Sequence, residues 1–308
     1  MSDPGSNYDI IIIGGGPAGL TAGLYTARAK LRSLLIERGA VGGQIVTSEW
    51  VENYPGVKDG ISGIDLTQIM YEQATKFGLE TVYADVSGIS VEGRQKTVKT
   101  SEGDYTAPAV IIAGGSDRQK LGVPGEAEFT GKGVSFCATC DGAFFKEKTV
   151  AVVGGGNAAL TEAIELTKFA DKVYLIHRRD VFRGGKILEE RANDTGKVEF
   201  LFNTVVDEVL GDKFVNGLKL RNNQSGETST LKLDGVFMAV GFLPNTGYLK
   251  GTVDLDELNT VIVDAHMATS VPGIYAAGDI RSQSIRQVVG ATGDGAIAAI
   301  NAEKYIHG

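Results

Sequence analysis

The chain has 308 residues, 43% hydrophobic and 22% charged, so it is ordinary in composition and long enough for two globular domains. Its formal charge of −8 argues against nucleic acid as a partner, and its two cysteines and three scattered histidines are too few for a structural metal site. It contains no apolar run of the roughly 18 residues that a membrane span needs, and Met1–Asn7 lacks the apolar region of a signal peptide. We therefore expect a cytoplasmic protein with no metal, no nucleic acid and no membrane among its partners.

The first predicted unit along the chain is a strand, a glycine-rich turn and a helix. An apolar run at 8–13 leads into the turn at 14–19, and residues 20–30 have helical composition. Glycines let such a turn approach a pyrophosphate closely, and the helix N-terminus offers free N–H groups to the phosphates. The candidate binding residues in this first turn are Gly14, Gly16, Pro17 and Ala18.

The same pattern returns near the middle of the chain. A predicted strand at 149–153 leads into a second glycine-rich turn at 154–159, and a helix is predicted at 160–169. One such motif alone is also typical of an ordinary turn in an α/β core, but two copies, each between a strand and a helix, indicate two dinucleotide-binding modules. The candidate binding residues in the second turn are Gly154, Gly156, Asn157 and Ala158.

The two modules differ where the second strand of each one ends. Glu37 and His177 follow the first glycine of their turns at the same offset. A carboxylate at this position accepts hydrogen bonds from a ribose 2′-hydroxyl, so the first module is predicted to bind FAD or NAD. His177 is followed by Arg178, Arg179 and Arg183, and cations suit a 2′-phosphate, so the second module is predicted to bind NADP. The alternative is that these arginines lie on a solvated face of the core.

The chain's only cysteines form a Cys-x-x-Cys pair, Cys137 and Cys140, which is followed directly by Asp141. Such a pair can close a small disulfide ring and exchange it with a partner dithiol, and an adjacent carboxylate is placed to transfer protons. Because the pair lies just ahead of the second glycine turn, we predict that it belongs to the second module. The alternative is a pair of inert, buried cysteines and an aspartate that caps a helix.

Further segments are candidates for a flavin pocket beside the first module. A tight turn follows Glu37 and consists of Gly42, Gly43 and Gln44. Near the C-terminus a short strand leads to Asp279, which is placed to bind a ribityl hydroxyl, and 290–299 carries small residues that let a helix lie close to a flat ring. Each segment alone is also typical of a turn or a core helix.

Taken together and in this order, the motifs resemble those of the bacterial-type, low-molecular-weight thioredoxin reductases over nearly the whole chain. The resemblance rests on GGGPAGLTAGLYTAR at 14–28, GGQ at 42–44, ENYPG at 52–56, LGVPGE at 121–126, CATCDG at 137–142, GGGNAA at 154–159, HRRDVFR at 177–183, GFLPNT at 241–246, GIYAAGD at 273–279 and Arg286-Gln287. It implies an α/β fold with two Rossmann-like, three-layer dinucleotide-binding domains. An NADP-binding domain at 118–245 is expected to be inserted into a discontinuous FAD-binding domain at 1–117 and 246–308.

The resemblance also implies a homodimeric flavoenzyme that reduces the disulfide of thioredoxin or a thioredoxin-like protein. Electrons are expected to pass from NADPH to FAD, then to the Cys137–Cys140 disulfide, and then to the partner. Cys140 is expected to lie nearer the flavin, Cys137 to attack the partner disulfide, and Asp141 to move protons. The resemblance adds further residues to the expected FAD site, namely Arg38, Asn53, Arg286, Gln287 and Val288.

Some positions depart from the pattern of that family. Gly184 and Gly185 follow Arg183, and the family often has an alanine at the first of these two positions. Because glycine is unfavourable in a helix, two glycines at a helix start are expected to leave Arg183 less firmly positioned. Residues 113–115 read Ala-Gly-Gly in place of Ala-Thr-Gly. Phe144 and Phe145 are candidates for an exposed partner-binding patch or for buried core residues.

Several alternatives remain beside this interpretation. The flavoprotein component of alkyl hydroperoxide reductase has an additional N-terminal thioredoxin-like region, and ferredoxin–NADP reductases of this fold lack the cysteine pair. A flavin-dependent disulfide reductase or dithiol oxidase with a different partner, or a non-catalytic flavin redox sensor, shares much of the pattern. An oxidase or a sensor has no need of the basic cluster at 177–183.

Overall fold

The computed structural model describes residues 7–48 and 50–308; Met1–Ser6, most of the predicted polar N-terminus, and Glu49 lie outside the described residues. The chain divides into two compact units. Unit 1 comprises the described residues up to Asp117 together with Leu243–Gly308, and unit 2 comprises Arg118–Phe242. Unit 2 is thus inserted into the sequence of unit 1, and the nucleotide that each unit binds stays a prediction.

The elements follow one another in three segments. In chain order, the first segment of unit 1 forms β1 (Ile10–Ile13), α1 (Pro17–Arg28), β2 (Ser33–Glu37), α2 (Gly63–Thr75), β3 (Glu80–Tyr83), β4 (Val86–Glu92), β5 (Gln95–Thr100), β6 (Gly103–Ala107) and β7 (Ala109–Ile112), and β8 (Ser116–Arg118) leads into unit 2. Unit 2 forms β9 (Val134–Ser135), α3 (Ala138–Asp141), β10 (Thr149–Val153), α4 (Asn157–Leu166), β11 (Lys172–Ile176), α5 (Lys186–Asp194), β12 (Val198–Leu201), β13 (Thr204–Gly211), β14 (Val215–Asn222), β15 (Thr228–Lys232) and β16 (Gly235–Met238). The chain returns through β17 (Phe242–Pro244), which pairs with β8, and ends with β18 (Ile274–Ala276) and α6 (Val288–His307). Short 3-10 turns lie at Gly43–Thr47, Gly142–Phe145, Gly247–Leu249 and Gly278–Ile280.

Each unit is built on a five-stranded parallel sheet. The strand order is β18-β7-β1-β2-β3 in unit 1 and β12-β11-β10-β16-β9 in unit 2. In each unit the strand before the glycine turn pairs with the strand that follows the next helix, as β1 with β2 and β10 with β11. The predicted α/β fold with two Rossmann-like units is therefore confirmed.

Alternate residues of the central strands face two different layers, because successive side chains of a strand point to opposite faces. In unit 1, Ile10 and Ile12 pack with the helices, whereas Ile11 and Ile13 pack with the antiparallel sheet β4-β5-β6. Unit 2 repeats this with Val150 and Val152 on one face and a sheet of β13-β14-β15 on the other. Each parallel sheet is thus the buried middle layer of three.

The helices that follow the glycine turns begin earlier than the sequence suggested. The predicted starts were 20 and 160, whereas α1 begins at Pro17 and α4 at Asn157, directly after the turn. Proline fits the first turn of a helix because the missing N–H would have had no partner there. Within the described residues, no helix has the length and apolar character needed to cross a membrane.

Candidate active site

The first glycine turn lies at the carboxyl end of the parallel sheet of unit 1. Gly14 has a φ of 106°, and its N–H donates to the carbonyl oxygen of Ile36 at 2.8 Å, which joins the ends of β1 and β2. A Cβ on Gly14 would lie 2.4 Å from the carbonyl oxygen of Ala113, so only glycine fits this position. Gly16 precedes α1, whose first residue is Pro17, and no side chain of the described residues caps this helix. The N–H groups of its first turn are therefore available to phosphate oxygens.

Glu37, at the end of β2, directs its carboxylate onto this turn. Oε2 accepts the N–H of Gly15 at 2.6 Å, and Oε1 accepts the N–H of Gly39 at 2.9 Å. Each carboxylate oxygen can accept more than one hydrogen bond, so the fixed carboxylate retains capacity for a ribose hydroxyl. This geometry fits the adenosine end of an unphosphorylated dinucleotide.

The turn at 42–44 lies against the first glycine turn, as a common binding site requires. A Cβ on Gly43 would lie 3.0 Å from the Cα of Gly16, and the N–H of Gly42 donates to the carbonyl oxygen of Gly15 at 2.8 Å. Both glycines have positive φ, 128° for Gly42 and 66° for Gly43. Two glycine backbones can approach so closely because neither carries a side chain.

Arg38 and Gln44 are held by one carboxylate. Arg38 forms an ion pair with Asp117 at 3.3 Å, and the side-chain amide of Gln44 donates to the other oxygen of Asp117 at 3.0 Å. Both predicted FAD-site residues are thus placed by the last residue of the first segment of unit 1.

The C-terminal segment contributes the opposite side of the same site. A Cβ on Gly278 would lie 2.9 Å from the Cβ of Ala18, so the turn after β18 touches the start of α1. Asp279 follows in this turn, and its Oδ1 accepts the hydroxyl of Ser284 at 3.1 Å. The tight packing explains the small residues there, since a Cβ on Gly295 would lie 2.2 Å from the carbonyl oxygen of Ala18.

Asn53 and the segment before α6 also come together. The side-chain amide of Asn53 donates to Oε1 of Gln287 at 3.2 Å, although the two residues are far apart in sequence. Gln287 precedes Val288, the first residue of α6, and Arg286 has a positive φ of 53°. The expected FAD-site residues of unit 1 are therefore neighbours in the structure, and their contact with FAD stays a prediction.

A buried ion pair that the sequence analysis missed supports this turn. Arg281 and Asp294 form a bidentate pair at 2.6 and 2.9 Å, and the same carboxylate accepts the N–H of Gly278 at 3.1 Å. The exposed fraction of these side chains is only 16% and 8%. Asp294 thus holds in place the turn that carries Asp279. No sequence signal distinguished this aspartate from other polar residues of α6.

The second glycine turn, in unit 2, repeats the geometry of the first. The N–H of Gly154 donates to the carbonyl oxygen of Ile176 at 3.0 Å, and a Cβ on Gly154 would lie 2.5 Å from the carbonyl oxygen of Ala239. Gly156 precedes α4, again without a side-chain cap from the described residues, and a Cβ on it would meet nothing within 4 Å. This open space beside uncapped N–H groups at Asn157 and Ala158 fits a pyrophosphate.

His177 takes the place in unit 2 that Glu37 takes in unit 1. Its ring lies flat against Gly155, where a Cβ would come within 2.0 Å of Cε1. The side chain is buried, and Nε2 has no hydrogen-bond partner within the described part of the chain. Burial lowers the pKa of His177, and the positive charges of the nearby arginines lower it further. The lowered pKa favours the neutral imidazole, so the positive charge of this segment rests mainly on its arginines.

The cations of the site are three exposed arginines that follow His177, namely Arg178, Arg179 and Arg183. None of their guanidinium groups forms an ion pair with a carboxylate of residues 7–48 or 50–308. A short loop that collects three such charges without a counterion fits an anionic ligand, and arginine forks suit phosphate.

Gly184 and Gly185 do not weaken this loop in the way the sequence suggested. They precede α5, which begins at Lys186, so neither lies inside the helix. A Cβ on Gly184 would lie 2.4 Å from Leu160, and the N–H of Gly185 donates to Oδ1 of Asn157 at 2.7 Å. The two glycines therefore bring the basic loop against the second glycine turn.

Cys137 and Cys140 form a disulfide in unit 2, with their Cα atoms 5.3 Å apart. Cys137 lies just beyond β9 and precedes the short helix α3; its Sγ accepts the N–H of Cys140 at 3.2 Å. Parallel strands direct their carboxyl ends to one sheet edge, and β9 is two strands from β10, or about 10 Å. The disulfide and the second glycine turn therefore lie at the same edge of one sheet.

Ser135 links both reactive groups and was also missed. Its buried hydroxyl donates to Oδ2 of Asp141 at 2.5 Å and accepts the N–H of Cys137 at 3.2 Å. The hydroxyl thereby fixes the carboxylate relative to the cysteine loop, as expected for a proton-transfer group. Ser135 ends strand β9 and belongs to no motif, so no sequence pattern distinguished it from other serines.

Acidic residues of α4 lie beside the cysteine helix. Glu165 accepts the hydroxyl of Thr139 at 3.0 Å. The pKa of Glu162 is raised to about 7, chiefly by burial and secondly by the charge of Glu165, while Arg118 acts in the opposite direction. Oε2 of Glu162 is buried without a hydrogen-bond partner in the described part of the chain.

The two phenylalanines after the cysteine loop have different environments. Phe145 is buried and packs on Phe237 with ring centroids 5.2 Å apart, whereas the exposed fraction of Phe144 is 51%. Only Phe144 remains a candidate for a partner-binding surface.

Comparisons with known proteins agree with this geometry. The family model described as pyridine nucleotide-disulphide oxidoreductase matches residues 8–295. A protein of Listeria monocytogenes named thioredoxin reductase is 49% identical over 301 residues, covering 97% of this chain and 94% of its own. A protein of the same name from Bacillus subtilis is 48% identical, covering 97% and 95%.

Solved structures are similar over the same length. The thioredoxin reductase of Streptococcus pyogenes has a TM-score of 0.94 at 46% identity and covers 98% of each chain. That of Giardia duodenalis has a TM-score of 0.93 at 38% identity, covering 98% of this chain and 99% of its own. Since the family model spans both glycine turns and the cysteine pair between them, this chain belongs to the pyridine nucleotide-disulphide oxidoreductase family.

Proposed function

We propose that the chain is an NADPH-dependent thioredoxin-disulfide reductase with FAD in unit 1 and NADPH in unit 2. The observation that carries the proposal is the position of the Cys137–Cys140 disulfide, at the same sheet edge as the second glycine turn. Membership of the family makes the chain an oxidoreductase that uses a flavin and a pyridine nucleotide. The relatives that cover nearly the whole chain are named thioredoxin reductase, which supports thioredoxin as the partner.

Unit 1 supplies the groups that suit FAD. The amides at the start of α1 would hold the pyrophosphate, and Glu37 would accept a hydrogen bond from the adenosine ribose. Asp279 would bind a ribityl hydroxyl, and the Asn53–Gln287 pair would border the same site. These roles rest on the convergence of the segments within unit 1.

Unit 2 supplies the groups that suit NADPH over NADH. Gly156 and the start of α4 leave open space for a pyrophosphate. The arginines at 178, 179 and 183 would bind the 2′-phosphate, because they are exposed, close in sequence and without carboxylate partners among the described residues. The neutral imidazole of His177 would form the floor beneath the ribose.

The dithiol chemistry is expected to follow from the cysteine loop. When bound, NADPH would supply one hydride and FAD would pass its electron pair to the disulfide, which together with two protons gives the dithiol. The Sγ of Cys137 then attacks one sulfur of the partner disulfide to give a mixed disulfide, and Sγ of Cys140 attacks Cys137 to restore the ring. The partner leaves as a dithiol, and Asp141, fixed by Ser135, moves protons to and from the cysteine sulfurs.

A homodimer in the cytoplasm is part of the same proposal. Val289, Ile297 and Ile300 lie on one exposed face of α6, while alanines of the opposite face pack into the core of unit 1. An exposed apolar ridge of this kind supports self-association. Light scattering of the purified protein is expected to give twice the mass of the chain.

The decisive experiment follows the flavin absorbance under anaerobic conditions. We expect NADPH to bleach the flavin much faster than NADH, and addition of thioredoxin and a disulfide dye to give continuous turnover. Cys137→Ser is expected to keep the bleaching and lose the turnover. Arg179→Ala is expected to raise the KM for NADPH, whereas Arg191→Ala, an exposed arginine on α5, serves as the matched charge control.

Each contrary result of this experiment would overturn a different part of the proposal. Faster bleaching by NADH overturns the role of the basic loop and keeps the enzyme class. Bleaching without turnover of thioredoxin overturns the partner. A protein without bound flavin overturns the function altogether.

A further inference from the structure

The loop that carries the three arginines is held at its beginning by a distant turn. The side-chain amide of Asn223, just beyond β14, donates to the carbonyl oxygen of Arg178 at 2.6 Å. The N–H of Asn203 donates to the carbonyl oxygen of Arg179 at 3.0 Å, and the N–H of Asn223 donates to the carbonyl oxygen of Asn203 at 2.7 Å. Asn203 and Asn223 therefore form one hydrogen-bonded bracket for two consecutive arginines.

The end of the loop is held independently by the second glycine turn. The N–H of Arg183 donates to the carbonyl oxygen of Gly155 at 2.7 Å, and the N–H of Gly185 donates to Asn157. Between the two ends, the buried ring of Phe182 packs on His177 and on Phe202, with centroids 5.5 and 4.8 Å apart. Only the beginning of the loop thus depends on the bracket.

The bracket matters because a phosphate is attracted by N–H groups and repelled by carbonyl oxygens. The carbonyl oxygens of Arg178 and Arg179 are both occupied as acceptors by the bracket, which keeps them turned to it. If the first of them were released, the carbonyl oxygen of Arg178 would lose its side-chain restraint, while the backbone hydrogen bonds at His177 and Arg179 would remain. The start of the basic loop would then be less well ordered before the ligand binds, and binding would have to restrict backbone motion that the folded protein now already restricts.

We propose that Asn223 is a specificity-determining positioning residue: through the carbonyl oxygen of Arg178 it aligns the basic loop for a 2′-phosphate. The inference rests on the proposed use of NADPH and deepens it. Part of the selectivity for NADPH over NADH is thereby assigned to Asn223. This residue lies in the turn between β14 and β15, outside both glycine turns and outside the basic loop.

The test measures binding of two small probes to the holoenzyme by calorimetry. Adenosine 2′,5′-bisphosphate carries the 2′-phosphate, and AMP lacks it. For Asn223→Ala we expect the preference for the bisphosphate to fall about three- to tenfold, the loss of about one hydrogen bond, with AMP affinity unchanged. In steady-state assays the KM for NADPH is expected to rise by a similar factor while kcat stays constant.

Two further variants separate positioning from folding. Asn223→Asp keeps the shape but cannot donate when ionised, so it is expected to lose at least as much preference. Gln224→Ala alters an exposed neighbour in the same turn and is expected to change neither probe. Thermal unfolding of all three variants should stay cooperative, with Tm unchanged for Gln224→Ala and lowered for the two Asn223 variants only by the few degrees that correspond to one hydrogen bond.

The possible failures are distinguishable. If the unmodified protein binds AMP as tightly as the bisphosphate, the NADPH assignment itself is wrong. If it prefers the bisphosphate and Asn223→Ala keeps that preference, or loses affinity for both probes equally, only the role of Asn223 is wrong.

Discussion

Replacing Asp294 by alanine would test how the flavin-site turn of unit 1 is held together. The substitution removes both hydrogen bonds to Arg281 and the acceptor of the Gly278 N–H. It leaves a guanidinium with an exposed fraction of 16%, whose one remaining hydrogen bond among the described residues is a donation to the carbonyl oxygen of Ser282 at 2.9 Å. Such an uncompensated buried charge costs about 3–5 kcal/mol of unfolding free energy.

This free energy corresponds to a fall in Tm of about 6–20 °C for a cooperative unit of about 150–250 residues. Thermal unfolding followed by circular dichroism measures it directly. Flavin content is expected to fall as well, because the turn that carries Asp279 loses its anchor at Gly278. Glu303→Ala removes another carboxylate from α6 and is expected to leave Tm almost unchanged.

A double variant isolates the charge. Arg281→Met combined with Asp294→Leu removes both ions, so it is expected to recover most of the stability that Asp294→Ala loses. A loss of less than about 1 kcal/mol of unfolding free energy in Asp294→Ala would contradict a supporting role for the ion pair. A double variant as unstable as the single one would show that packing, and not an unpaired charge, is responsible.

The remaining predictions concern a pH dependence, a proton-transfer contact and a buried hydroxyl. Because the pKa of Glu162 is raised to about 7, the folded state holds a proton that the unfolded state releases; stability is therefore expected to fall as pH rises from about 4.5 through 7. Glu162→Gln removes this loss and should be more stable at pH 8 by up to about 3 kcal/mol in denaturant unfolding. Ser135→Ala frees the carboxylate of Asp141 and is expected to lower turnover with thioredoxin about 10- to 100-fold, the loss of one hydrogen bond to a charged group. Tyr248→Phe removes a buried hydroxyl that lacks a partner in the described part of the chain and should raise the unfolding free energy by about 1 kcal/mol.

Matched controls exist for each of these. Glu165→Gln should shrink the pH dependence without abolishing it, because its charge is only the second cause of the raised pKa. Thr139→Ala leaves Asp141 untouched, so a comparable loss of turnover would contradict the role of Ser135. Tyr275→Phe removes a hydroxyl that donates to Asn301 at 3.0 Å and should destabilise; a Tyr248→Phe variant that does the same indicates a hidden partner for that hydroxyl.

The local part of the fold was predictable from the sequence alone. Each glycine turn lies between a strand and a helix within one short segment, so the strand, the turn and the helix are specified by neighbouring residues. The matching offsets of Glu37 and His177 also follow from local geometry, since adjacent parallel strands align their ends. The Cys-x-x-Cys spacing closes its own ring and needs no distant residue.

Only the tertiary structure decided which residues hold the glycine turns and the basic loop in place, and how burial shifts the pKa of a residue beside them. Burial against Gly155 lowers the pKa of His177, and the neighbouring arginines lower it further. Asp294 holds Gly278, and Asn223 holds Arg178, through contacts between different elements that are 16 and 45 residues apart. No local pattern marks such residues, because a hydrogen bond across two sheets or between a helix and a turn depends on packing that the whole unit determines. Short motifs thus identified the candidate reactive and binding residues, whereas the residues that hold them in position were determined by tertiary contacts.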